Sequence, residues 1–91
     1  MPNVHESYRV EIAETAAEQF EHLGPTGRDE AETLLERIKN DPWPGSDTGV
    51  RRIRAVDLPI EPLFCLPGRR LRVYYTVAEN RVLILLITRR K

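Results

Sequence analysis

The apolar and polar pattern is clearest near the end of the chain, in Leu71–Arg90, which reads LRVYYTVAENRVLILLITRR. Leu71, Val73, Tyr75 and Val77 alternate with Arg72, Tyr74 and Thr76, so a strand here turns the first set to one side and the second to the other. Arg81–Thr88 carries an unbroken apolar run, VLILLI, which predicts a strand covered on both faces and therefore central in its sheet. Ala78-Glu79-Asn80 joins the two as a hairpin turn, with Asn80 the residue that tolerates positive φ.

Earlier segments supply the rest of a domain. Ser7–Ala13 alternates Tyr8, Val10 and Ile12 against Arg9, Glu11 and Ala13, which predicts a short strand with one buried face. Thr15-Ala16-Ala17-Glu18 has the form of a capping box that starts a helix over Ala16–Leu23, with Ala16, Phe20 and Leu23 inward and Gly24-Pro25 as its end. Thr26 or Asp29 caps a second helix over Arg28–Asn40. Its Ala31, Leu34, Leu35 and Ile38 repeat at helical spacing, while Glu30, Glu32 and Glu36 form an acidic outer face. Pro42 and Pro44 stop that helix, and Trp43 between them either plugs the edge of the core or presents a ring to a partner.

Gly49–Val56 is a basic strand, with Arg52 and Arg54 on one face and Arg51, Ile53 and Ala55 on the other. Leu58–Pro62 interrupts it, Leu63–Leu66 is a short strand, and Pro67-Gly68 turns the chain towards the final hairpin. The order β-α-α-β-β-β predicts one α+β domain over residues 1–91. Its helical hairpin packs on one face of a mostly antiparallel four-stranded sheet.

Charge adds an asymmetry to this plan. Net charge is zero, but residues 1–45 carry 10 acidic and 4 basic side chains, and residues 46–91 carry 4 and 10. The second half is basic almost entirely through arginine, whose planar guanidinium binds phosphate or carboxylate in bidentate fashion. No run of about 18 apolar residues reads as a membrane span, MPNVHESYRV carries no apolar leader, and the single Cys65 cannot close an internal disulfide. A reducing cytoplasm is the compartment these features predict.

Familiar chemical motifs are missing. There is no P-loop, glycine-rich dinucleotide turn, HExxH or CxxC. His5 and His22 read as surface residues, and Cys65, within Phe64-Cys65-Leu66, as a small core residue. Arginines on strands remain. Arg70, Arg72 and Tyr74 fall on the face away from the helices, and Arg52 and Arg54 join them from the neighbouring strand. Such a face suits a phosphodiester without metal or cofactor: guanidinium groups hold the scissile phosphate, and an aromatic ring stacks a base. A solvated face whose arginines pair with a partner's acids is the other reading.

These segments, in this order, resemble the RelE/ParE superfamily of bacterial toxins. The resemblance spans YRVEIAETAAEQFEHL, LLERIKNDPWPG, GVRRIRAV and the closing LRVYYTVAENRVLILLITRR. For RelE-type members it implies a metal-independent endonuclease that cuts mRNA in the ribosomal A site, with the RNA 2′-OH as nucleophile. For ParE-type members it implies inhibition of DNA gyrase. In both it implies a neutralising antitoxin as partner. Arg72 matches the family's strand arginine that contacts the scissile phosphate, and Arg89 and Arg90 stand near its basic residue at the end of the last strand, while no residue matches its general acid or base. With Tyr74 as a substitute for that group, Arg72, Tyr74 and Arg89 are the catalytic candidates, and Arg52, Arg54, Arg69, Arg70 and Arg90 the RNA-binding ones. Tyr75 matches the family's strand tyrosine, but its parity assigns it to the core. Where RelE-type nucleases carry strand lysines, this chain reads LFCL at Leu63–Leu66.

Overall fold

The computed structural model describes residues 8–55 and 58–90; His5, Ser7, Val56 and Lys91 lie outside the described residues. The chain runs β1 (Arg9–Ile12), α1 (Glu14–Glu21), α2 (Gly24–Asn40), β2 (Arg51–Ala55), β3 (Leu58–Pro67), β4 (Leu71–Ala78) and β5 (Arg81–Arg89). The sheet order is β1-β5-β4-β3-β2. β2 to β5 form an antiparallel meander, and β1 lies parallel to β5. A parallel neighbour needs a crossover, which the two helices provide. The α+β class, the helical pair on one face and the mostly antiparallel sheet match expectation. The described sheet has five strands rather than four, because both arms of the final hairpin join β1, β2 and β3 in it. Leu58–Pro62 does not interrupt the sheet but extends β3 through an irregular stretch of its pairing with β2.

One face of the sheet holds the core. Leu71, Val73, Tyr75 and Val77 of β4 pack with Val82, Ile84 and Ile87 of β5, Phe64 and Leu66 of β3, Ala16 of α1, and Ala31, Leu34 and Ile38 of α2. Fully burying one such large side chain contributes about 1.5–3 kcal/mol. Phe20, Leu23 and Leu35 pack at the margin of this cluster, as do Tyr8 and Val10 of the edge strand. Ile12, expected inward, is 42% exposed at the end of that edge.

VLILLI was expected to be covered on both sides, and only one side is. Both helices lie on the core face, so Leu83, which pairs with Thr76 on the opposite face, stays 36% exposed. The run also does not alternate simply. Tyr75 pairs with Ile84 and Tyr74 with Leu86, which leaves Leu85 as an extra residue, a β-bulge. Before the bulge the core takes Val82 and Ile84; after it, Ile87.

The helix boundaries differ from the periodic reading. α1 starts at Glu14 with no side-chain cap, so Thr15 lies inside the first turn and no capping box forms. Gly24 takes φ 78° and Pro25 opens α2, so the Gly-Pro pair begins the second helix four residues earlier than predicted. Neither Thr26 nor Asp29 caps it. In the hairpin turn the positive φ (58°) belongs to Glu79, not Asn80. No helix among the described residues is long and apolar enough to cross a membrane.

Side chains close the gaps that regular structure leaves. β1 pairs with β5 as far as Ile84, and beyond it the Ile87 N–H donates to Gln19 Oε1 at 2.7 Å. Glu30 does not join Glu32 and Glu36 in solvent. Its Oε2 accepts from the N–H groups of Arg70 (2.8 Å) and Leu71 (2.9 Å), tying α2 to the turn between β3 and β4. Trp43 is 43% exposed, its Nε1–H donates to the Tyr8 hydroxyl at 2.7 Å, and its ring meets Tyr8 and Phe64 edge-on, which makes it a seal at the core's edge.

Candidate functional site: an arginine cleft on the open sheet face

The face of the sheet away from the helices is organised by strand register. Residues directly paired across antiparallel strands share a face. Arg51 of β2 pairs with Cys65 of β3, and Cys65 with Tyr74 of β4. The neighbouring row pairs Pro67 with Arg72 and Arg72 with Thr88. Arg51, Ile53, Cys65, Pro67, Arg72, Tyr74 and Arg90 line a cleft of about 300 Å³. Its cations are three guanidinium groups, and no acidic residue is among its lining. The one ion pair among the described residues, Arg54 with Glu61 at 3.6 Å, is exposed and elsewhere. The cleft is therefore an electropositive site with planar, multiply donating groups, suited to an oxyanion with several oxygens.

Of the predicted residues, the structure brings Arg72, Tyr74 and Arg90 together here. It places others apart. Arg52 pairs with Phe64, a core residue, so its face of the sheet is opposite that of Arg72. The expectation that Arg52 joins the Arg72 face thus gives way to Arg51, because the register of β2 on β3 turns Arg51 and Ile53 to that face; Arg54, at the irregular end of the pairing, meets Glu61 and is not among the cleft's lining. Arg69 and Arg70 line a separate groove of about 470 Å³ against α2, together with Glu30, Leu34 and Arg37. Arg89 pairs with Leu71 on the helix side, and its Nη2 donates to the Leu23 carbonyl at 3.5 Å. The Leu85 bulge causes this: it shifts the parity of the strand end, sending Arg89 to the helices and Arg90 to the cleft.

Sequence reasoning missed Arg51 for a physical reason. In RRIR both faces carry arginine, and Ile53, which shares the side of Arg51, suggests a core-facing side although it lies half-buried at the cleft.

Arg90 is held in place at both its backbone and its side chain. Its N–H donates to the Arg70 carbonyl at 2.7 Å, and its Nη1 to the Gly68 carbonyl at 2.5 Å. Cys65 is a buried thiol between Arg51 and Tyr74. Burial pushes its pKa up, with Arg72, Tyr74, Arg51 and Arg90 pulling the other way. The balance disfavours the thiolate, and Cys65 forms part of the cleft wall. Tyr75, one residue from Tyr74, is fully buried on the core side and donates its hydroxyl to the Pro42 carbonyl at 2.7 Å. Burial, with smaller contributions from Cys65 and Asp41, pushes its phenol up as well. His22, at the end of α1, has its Nδ1 2.7 Å from the Glu18 carbonyl and stands apart from the cleft.

No family model matches the sequence, and comparison with curated proteins finds no match either. Solved structures do match. The RelBE2 toxin–antitoxin complex from Mycobacterium tuberculosis aligns with a TM-score of 0.74 at 18% identity, over 93% of this chain and 100% of that one. The archaeal RelE–RelB complex from Pyrococcus horikoshii gives 0.73 at 18% identity, over 93% and 97%. The YoeB/ParE toxin from Agrobacterium tumefaciens gives 0.69 at 12% identity, over 91% and 99%. At these identities the likeness is one of architecture, and it extends from the first strand to the last: this chain has the RelE/ParE toxin fold.

Proposed function

We propose that the protein is the toxin of a toxin–antitoxin pair and that it cleaves mRNA on the ribosome through the arginine cleft. The observation that carries this reading is the convergence of Arg51, Arg72 and Arg90 beside Tyr74, with no acidic side chain among the cleft's lining. In RNA cleavage without metal, the 2′-oxygen attacks phosphorus, the 5′-oxygen of the next nucleotide leaves, and charge builds on the phosphoryl oxygens between these events. Guanidinium groups already aimed at those oxygens stabilise that charge without reorganising. In this reading Arg72 and Arg51 clamp the phosphate from neighbouring rows, Arg90 closes the site at the strand end, and the Tyr74 hydroxyl is the proton-transferring group. The fold neighbours, one solved as a toxin–antitoxin complex and another as a RelE–RelB complex, support an antitoxin as partner.

A purified translation reaction on a defined mRNA, followed by primer extension, tests the proposal. Cuts at A-site codons with the parent protein, and none with Arg72→Ala, are expected. Uncut mRNA from the parent would overturn it.

One observation favours a second reading. No histidine, lysine or carboxylate is among the residues lining the cleft, so Tyr74 is the proton-transferring side chain it offers. A binding-only cleft fits inhibition of DNA gyrase. Intact mRNA with gyrase-dependent breaks in plasmid DNA would select it.

A further inference from the structure

We infer that Glu30, on α2 and outside the cleft, is a positioning residue that sets the geometry of Arg72. Pro67 and Arg72 form the last ladder pair of β3 and β4, and both line the cleft. Beyond them the chain turns through Gly68, Arg69 and Arg70. That turn closes on itself through one bond, Gly68 N–H to the Leu71 carbonyl at 2.7 Å. Two distant residues hold it further, Arg90 through its backbone N–H and its guanidinium and Glu30 through its carboxylate. Arg90 takes the carbonyls of Gly68 and Arg70 from the cleft side. From the helix side, a single oxygen of Glu30 accepts both the Arg70 and Leu71 N–H groups.

The fit is close. A Cβ built on Gly68 would stand 2.5 Å from Glu30 Oε2 and 2.9 Å from Leu34 Cδ1, so the turn lies directly on α2. α2 is anchored in the core by Ala31, Leu34 and Ile38. Glu30 therefore transmits the position of a rigid helix to the backbone just before Arg72. Without it, two adjacent N–H groups turn to solvent, the end of the ladder loosens, and the Arg72 guanidinium loses its aim relative to Arg51. The inference rests on the cleft being a phosphate site, as proposed above.

Simple electrostatics and positioning predict opposite signs, and that makes the test sharp. Removing an acid from a protein strengthens its attraction for phosphate. Loss of positioning weakens it. The probe is a 2′-O-methyl RNA trinucleotide, which binds without being cut, titrated against the full chain and followed by the Arg72 Nε–H resonance. Glu30→Ala is expected to bind about tenfold more weakly, as loss of a charge-assisted hydrogen-bond pair implies. Glu30→Gln retains a carbonyl acceptor and is expected to restore most of that loss. Glu36→Ala, which removes an exposed acid from the same helix, is expected to bind at least as tightly as the parent.

Amide exchange at Arg70 and Leu71, read without ligand, separates the two claims. If the parent fails to bind RNA but Glu30→Ala exchanges faster there and shifts the Arg72 resonance, the RNA reading fails and the positioning role stands. If Glu30→Ala binds as tightly as Glu36→Ala with unchanged Arg72 and amide signals, the positioning role is overturned.

Discussion

Arg51 and Tyr74 stand in one row across the sheet, on β2 and β4, with Cys65 of β3 between them. Arg52, one residue along, pairs with Phe64 and belongs to the other face. Neighbouring arginines thus make a matched pair of probes. Arg51→Ala is expected to lower mRNA cleavage about 10²–10³-fold, the usual cost of losing one oriented donor to a developing oxyanion. Arg52→Ala is expected to stay within about twofold, as for a surface change away from a site. Both should melt with the parent. Equal loss in the two variants, measured by primer extension and thermal unfolding, would reject the assignment of faces.

Tyr75 offers a pH test of the core. Its hydroxyl is buried on the Pro42 carbonyl and its pKa is raised above the ordinary 10.0. The native state therefore keeps the proton where the unfolded chain releases it. Stability is unaffected by this group below about pH 10 and falls above it, by at most about 1.4 kcal/mol per pH unit until the native phenol itself ionises. Tyr75→Phe should cost about 1 kcal/mol at neutral pH through the lost hydrogen bond. It should also flatten that part of the alkaline slope. Urea titrations at pH 8 and pH 11 compare the two proteins.

Gly68→Ala should destabilise the fold. The new methyl would meet Glu30 Oε2 at 2.5 Å and Leu34 Cδ1 at 2.9 Å. Glu30 is held by two hydrogen bonds and Leu34 is buried, so neither moves freely. Overpacking of this kind costs about 1–3 kcal/mol. Chemical denaturation gives the number, and a variant as stable as the parent would mean the turn can lift off α2.

Glu79→Gly should do the reverse. Glu79 holds φ 58° in the hairpin turn, a region unfavourable to a residue with a Cβ by about 1–2 kcal/mol. The added freedom of glycine in the unfolded chain takes back about 0.4–1 kcal/mol. A net gain of about 0.5 kcal/mol is expected, visible as a small rise in Tm. The same change at Asn80 should not stabilise.

The sequence carried the core well because amphipathic periods are local. Ala31, Leu34 and Ile38 on α2, and Leu71 through Val77 on β4, lie inward where their spacing puts them. Tyr75 was legible as core for the same reason. What was not legible depends on pairing between distant strands. Whether Arg51 or Arg52 faces the cleft is decided by the register of β2 on β3, across a proline-containing stretch whose path no period reports. Glu30 looked like any exposed acid on a charged helix face, and its bonds to Arg70 and Leu71 exist only once the turn lies on α2. Gly24-Pro25 reads in the sequence only as a stop, yet a proline is equally at home in the first turn of a helix, and Pro25 stands in the first turn of α2.

The extra residue at Leu85 gives the last strand something like a reading frame. Upstream of it, even-numbered side chains meet the helices; downstream, odd-numbered ones do. Absorbing that leucine into plain alternation, without a bulge, would leave every residue of the protein unchanged. It would nevertheless exchange the places of two adjacent arginines, taking Arg90 out of the cleft and turning Arg89 into it. One sequence could then present either arginine to the site, through strand register alone.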